Sequence, residues 1–218
     1  MPRRLVFVLF AALSLFQAQG ADHVAPPAGD ASSYPAVDIH ADEHVAIAAD
    51  PYNTKDKIAI FRVDYLKYGF LPVRIIVTNN GDKPISLADA RINFITAAGD
   101  KIPTSEATDV ERRIDRVKRP DSGYKLPGPL PRIGNKSAAK SKDIEEDFKS
   151  FEYTAALVEP HTTRDGFFFY DLQGIANPLV GGKLNLNTLR FADGKELFYF
   201  EVPFDKYLAA RSASGKSN

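Results

Sequence analysis

Apolar side chains recur at every second position through Val73, Ile75 and Val77, with Arg74, Ile76 and Thr78 between them. A period of two places the first three on one face of a strand. Ile75 and Ile76 point to opposite faces, so both faces carry apolar groups and the strand needs cover on both sides. Asn79-Asn80-Gly81-Asp82 follows with residues that tolerate positive φ, Pro84 fixes its own φ, and Ile85 and Leu87 resume the alternation. The stretch from Phe70 to Leu87 therefore predicts a hairpin or a tight connection between sheets.

The same reading places a strand at Val45 to Ala48, broken by Asp50-Pro51-Tyr52-Asn53, and a short strand or helical turn at Ile58 to Val63. Ile92 and Phe94 alternate with Arg91 and Asn93 up to Gly99-Asp100. Thr104 or Ser105 then caps a helix, because Ala107, Val110, Ile114 and Val117 recur at three- and four-residue spacing before Pro120 stops it. A second helix is read over 143–158 from Ile144, Phe148, Phe151 and Ala155; Asp143, Glu145, Glu146 and Asp147 lie in its first turns, where the helix dipole favours acids. Gly166 to Leu172, GFFFYDL, reads as a central strand, apolar on both faces. Beyond it the apolar parity switches near Thr188, which predicts a break or bulge, and Asp193-Gly194 signals a two-residue hairpin before Phe198, Phe200 and Val202.

Seven to nine short strands with turn signals, and two helices inserted at about 104–158, predict a mainly β fold, an immunoglobulin-like β-sandwich. The segment PVRIIVTNNGDKPISL resembles the hairpin centred on N-G-D of exported bacterial immunoglobulin-like modules, and GFFFYDL with LRFADGKELFYFEVPFDKYL resembles the closing strands of a group of exported bacterial proteins. The resemblance covers Pro51 to Leu208 and implies a fold; it brings no catalytic residue with it.

The first residues change the picture of where the chain works. Arg3 and Arg4 precede an apolar run from Leu5 to Phe16, and Ala18-Gln19-Gly20 supplies small residues at a cleavage site, so 1–20 reads as a secretory signal. As a helix that run spans about 18 Å, short of the ~30 Å hydrocarbon core of a bilayer. Residues 21–36, rich in Ala, Pro, Gly, Asp and Ser, read as a flexible leader, 37–208 as one domain and 209–218 as a disordered tail. No cysteine is present, which excludes disulfides, thiol catalysis and cysteine-held metals, and an exported chain without disulfides points to a bacterial periplasmic or extracellular protein.

Charge narrows the partners. The 28 basic and 28 acidic residues balance, so no nucleic acid is expected. Locally, residues 112–142 carry ten basic side chains against Asp115 and Asp121, and Arg112, Arg113, Arg116, Lys118, Arg119, Lys125 and Arg132 are candidate contacts to an anionic lipid or cell-wall polymer. Asp38-Ile39-His40-Ala41-Asp42-Glu43-His44 is the most metal-like cluster; His40 and His44 are its candidate ligands, with His161 as a distant third. No GxSxG nucleophile motif and no Gly-rich phosphate loop before a helix occurs. Three functions fit: a non-catalytic exported binding or scaffolding module of the cell envelope with no cofactor and an envelope protein or polymer as partner, attachment to an anionic surface, and a metal-dependent enzyme using His40 and His44.

Overall fold

A computed structural model describes residues 23–118 and 136–214, with the side chains at 117, 118 and 136–139 left aside. The predicted signal and most of the basic loop lie outside the described residues. The chain is mainly β, with three antiparallel sheets and four α-helices among the described residues. The first sheet has the order β1 (Val37–His40), β2 (Val45–Pro51), β3 (Phe70–Asn79) and β8 (Thr162–Asp171). A second has β11 (Phe200–Pro203), β9 (Lys183–Asn187), β5 (Arg91–Ile95) and β6 (Lys101–Ile102). Three two-residue strands, β10 (Arg190–Phe191), β4 (Ile85–Ser86) and β7 (Leu157–Val158), form the third.

The period of two in β3 decides what packs where. Val73, Ile75 and Val77 join Val45, Ile47 and Ala49 of β2 on one face, and meet Ile92, Phe94, Leu184, Leu186, Phe200 and Val202 of the second sheet in one apolar core. A fully buried aliphatic or Phe side chain stabilises by about 1.5–3 kcal/mol, so this layer is the main source of stability. On the opposite face, Phe167 and Phe169 of β8 and Phe70 of β3 are covered by helices α2 (Ala107–Lys118) and α3 (Lys136–Phe151) and by the chain from Tyr52 to Tyr68. Phe148 stacks on Phe169 at 4.3 Å between ring centroids, and Phe61 sets its edge against Phe151 and Phe167. The cover on both sides that the sequence of β3 calls for is supplied by a sheet on one side and, on the other, by the helices over Phe70 and by the segment around Ala31 over Ile76.

Of the two readings of residues 70–87, the structure has the connection between sheets: β4 pairs with β10 and β7, and β3 pairs with β2 and β8. Asn79, fully buried, shapes the turn by accepting from the Gly81 N–H while its amide donates to Lys83 and Val158 carbonyls. Other expectations change. Residues 23–36 are not a free leader. Arg74, itself ion-paired with Asp165, donates to the Pro26 carbonyl, the Ala31 N–H donates to Thr78 Oγ1, and Ala31 packs with Ala46, Ala48 and Ile76. The second helix begins at Lys136 and ends at Phe151 because Tyr153 leaves it to donate its N–H to the Phe167 carbonyl. Gly166 permits that approach, since a Cβ there would collide with the Tyr153 backbone. The parity switch at Thr188 is a strand break at positive φ, and Ile58 closes a helical turn, α1 (Lys55–Ile58). The described part of the predicted tail, 209–214, continues a helix, α4 (Asp205–Ser214), docked by buried Phe204 and Tyr207.

Candidate functional site

Among the described residues a cleft of about 640 Å³ opens where three segments fail to close on one another. Its first wall is the 3-10 turn Tyr65–Tyr68 with the start of β3; its second is the turn that leaves β8 at Leu172 and runs to Val180; its third is α4. Asp64 caps the 3-10 turn by accepting from the Lys67 N–H, and Gly69 ends it at φ +83°, where a Cβ would lie 2.9 Å from Gln173 Cβ. The chain can thus reverse and let the Leu172 N–H donate to the Gly69 carbonyl. α4 is held against this corner by Tyr207, whose hydroxyl donates to Asn53 Oδ1 at 2.7 Å. The volume is in the range that holds a small organic ligand.

Leu66, Leu71, Leu172, Leu179 and Leu208 give the cleft apolar walls. Lys67 and Arg211 are the only charged residues that line it, and neither has a carboxylate partner among the described residues. Among the described residues no aspartate, glutamate, histidine, serine or threonine lines it; Tyr68, whose hydroxyl accepts from Lys140 Nζ at 2.7 Å, brings the hydroxyl that does. At its mouth Val180 is exposed.

Elsewhere, polar side chains are spent on the fold. Asp147 is completely buried on α3, and its two carboxylate oxygens accept from the Arg62 N–H at 3.1 and 3.0 Å, Arg62 Nη1 at 3.1 Å, the Val63 N–H at 3.2 Å and the Tyr65 hydroxyl at 3.1 Å. Burial pushes its carboxyl above the ordinary aspartate range, against the downward pull of these donors. Burial, then the Asp147 charge, drives the Tyr65 hydroxyl well above its usual range. The acids at 145–147 that open the predicted helix thus lie inside α3, and the last of them fastens α3 to the 3-10 turn.

His40 is equally occupied. Nδ1 lies 2.9 Å from Glu43 Oε2 and Nε2 lies 3.3 Å from Asp38 Oδ2, while the ring stacks on Phe200 at 3.8 Å. The carboxylates approach opposite edges of the imidazole and do not converge on one point. They are also acceptors for β11 and the residues before it: the Glu201 N–H donates to Asp38 and the Phe198 N–H to Glu43. The cluster therefore ties the edge strands β1 and β11 together and blunts a free sheet edge. His44 stands in the following turn at φ 56°, and His161 pairs with Asp82 across an exposed turn at 3.2 Å. Among the described residues no group of three or more His, Asp or Glu is placed to hold a metal ion.

Of the candidate anionic-surface residues, Arg112 pairs with Asp109 at 3.1 Å and Arg113 pairs with Asp171 and lies over the Phe70 ring. With Arg116 they line a smaller pocket of about 270 Å³. The Lys118 side chain, Arg119, Lys125 and Arg132 lie outside the described residues. No helix among the described residues is long and apolar enough to cross a membrane.

Sequence reasoning missed Lys67 and Arg211. They are far apart in the chain and belong to no motif; the signal for the second is the run Leu208-Ala209-Ala210-Arg211, good helix formers that cross the predicted start of the tail at 209. Comparison with protein-family models, with curated proteins and with solved structures finds no match.

Proposed function

We propose that this chain is a non-catalytic binding module, exported to the bacterial cell envelope, that takes a small ligand in the cleft between the 3-10 turn, the Leu172–Val180 loop and α4. The carrying observation is the cleft itself: about 640 Å³, with five leucines in its walls and, among the described residues, no carboxylate or imidazole lining it. Such a surface lowers the free energy of an apolar ligand by removing it from water and offers little with which to transform it. Export is supported by the Arg3-Arg4 start and the apolar run behind it. An immunoglobulin-like classification is supported by two four-stranded antiparallel sheets sharing one core.

Fluorescence titration with phenylnaphthylamine, a neutral apolar fluorophore, tests the reading. Saturable binding to one site is expected, and Val180→Trp, a substitution at the exposed mouth, is expected to weaken it without changing the melting temperature. Absence of saturable binding, or binding indifferent to Val180→Trp, rejects the cleft as the binding site.

A further inference from the structure

We infer that the cleft selects an amphiphile with a single anionic head, a fatty-acid-like carboxylate whose chain lies along the leucines and whose head sits between Lys67 and Arg211. This rests on the cleft being the binding site, and adds the class of ligand.

The charge pattern carries it. Most buried or half-buried cations of this chain are neutralised within it: Lys57 by Asp50, Arg62 by Glu146 and Asp147, Arg74 by Asp165, Arg113 by Asp171, Lys183 by Glu201. Lys67, from the 3-10 turn, and Arg211, from α4, are exposed, meet no carboxylate among the described residues, and are the two charged side chains that line the cleft. Two cations that line one hollow, Lys67 with its ammonium 6.0 Å from the Tyr68 ring centroid and Arg211 with no ion pair among the described residues, give it a positive potential, and a guanidinium matches a carboxylate with two parallel hydrogen bonds. A cationic ligand meets repulsion from both residues. A neutral one gains only the apolar burial.

The aliphatic walls set the other half of the ligand. Leu66 and Leu71 come from one wall, Leu172 and Leu179 from the second, Leu208 from α4, so an unbranched chain touches all three segments at once. Each buried methylene contributes about 0.8 kcal/mol. Affinity should therefore rise with chain length, and head charge should decide between chains of equal length.

Calorimetric titration of the purified chain with decanoate, decanol, decylammonium and acetate separates these contributions. Decanoate is expected to bind one-to-one and about tenfold or more tighter than decanol, while decylammonium and acetate give no measurable binding. The double substitution Lys67→Ala with Arg211→Ala is expected to bring decanoate down to the level of decanol and leave decanol unchanged. Equal affinity for decanoate and decanol, or a double variant that weakens both alike, overturns the anionic head and leaves the cleft as an apolar binding site. Failure of both decanoate and decanol to bind removes the cleft reading as well.

Discussion

The two sides of the 3-10 turn Tyr65–Tyr68 make opposite use of polar groups. On one side Tyr65 points into the helical cover, where Asp147 collects hydrogen bonds from Arg62, Val63 and Tyr65 and no donor around it is left for a ligand. On the other, two residues further on, Lys67 lines an open cleft together with Arg211 and meets no carboxylate among the described residues. Saturated polar groups in a dry site fix one geometry, because every alternative strands a donor or an acceptor. Unsaturated ones at a concave surface remain available to something from outside. The first side holds the turn still so that the second can present its charge.

Removing the saturated side should have the largest effect. Asp147→Ala leaves the buried Val63 N–H and the Tyr65 hydroxyl without their acceptor, and is expected to cost about 3 kcal/mol in urea unfolding. The lower end of the range for a broken buried pair applies because Arg62 keeps Glu146 as a second partner at 3.0 Å. The cleft should suffer with it: decanoate affinity falls although Asp147 does not line the site. A loss of stability under 1 kcal/mol, or a cleft indifferent to the change, would separate the two sides that the comparison joins.

The pH dependence of Asp147 sharpens the same point. Its carboxyl in the folded chain titrates above the unfolded value, so the folded state holds the proton more tightly. Its contribution to stability is then fully present below the ordinary aspartate value and is lost as pH rises through the raised one. Asp147→Asn removes that titration. The stability of the natural chain relative to Asp147→Asn should therefore be greatest in acid and decline towards neutral pH; an increase towards neutral pH would mean that the donors outweigh burial.

How far this was legible in the sequence depends on how local each cause is. The two-faced strand at Val73–Val77, the helix with Val110 and Ile114 inward, and the break at Thr188 follow from periodicity, and the structure has each. The stretch 70–87 reads as a hairpin or a connection between sheets, and the sequence leaves the choice open because a turn fixes where a chain reverses but not which strand it joins; Ile85 finds its partners at Val158 and Phe191, both distant in the chain. The leader failed because its low hydrophobicity hides short contacts to β3, such as Arg74 to the Pro26 carbonyl. His40 drew notice for its residue type, yet the partners that occupy it, Asp38 and Glu43, were in plain view three residues away or fewer. The cleft has no local signature, being the gap left when Leu66, Leu172 and Leu208 fail to meet.

His40 gives a prediction of intermediate size. His40→Ala removes the ring that stacks on Phe200 and bridges Asp38 and Glu43, while Asp38 keeps the Glu201 N–H of β11 as a donor and Glu43 the Phe198 N–H just before that strand. A loss of about 1–2 kcal/mol is expected in thermal unfolding, with no effect on decanoate binding. Added zinc should leave the melting temperature of the natural chain unchanged, since the two carboxylates face opposite nitrogens. A zinc-dependent rise that His40→Ala abolishes would move this cluster from the saturated to the available class.

The smallest effect is expected where the comparison is most exposed to refutation. If Lys67 and Arg211 are unspent, replacing both with alanine should change the free energy of unfolding by no more than about 0.5 kcal/mol. Arg211 lies in the last turn of α4, where a cation gains about 0.3–1 kcal/mol from the helix dipole at low ionic strength. Salt screens that gain, so the measurement is best made at physiological ionic strength. Mutual relief acts in the other direction, because two cations lining one hollow repel each other and their removal ends that repulsion. A double variant as stable as the natural chain, yet unable to prefer decanoate over decanol, would show charges held for a ligand rather than for the fold. A loss above 1 kcal/mol would show that they fasten α4 and the turn to the rest of the chain, making this side as saturated as the Asp147 side.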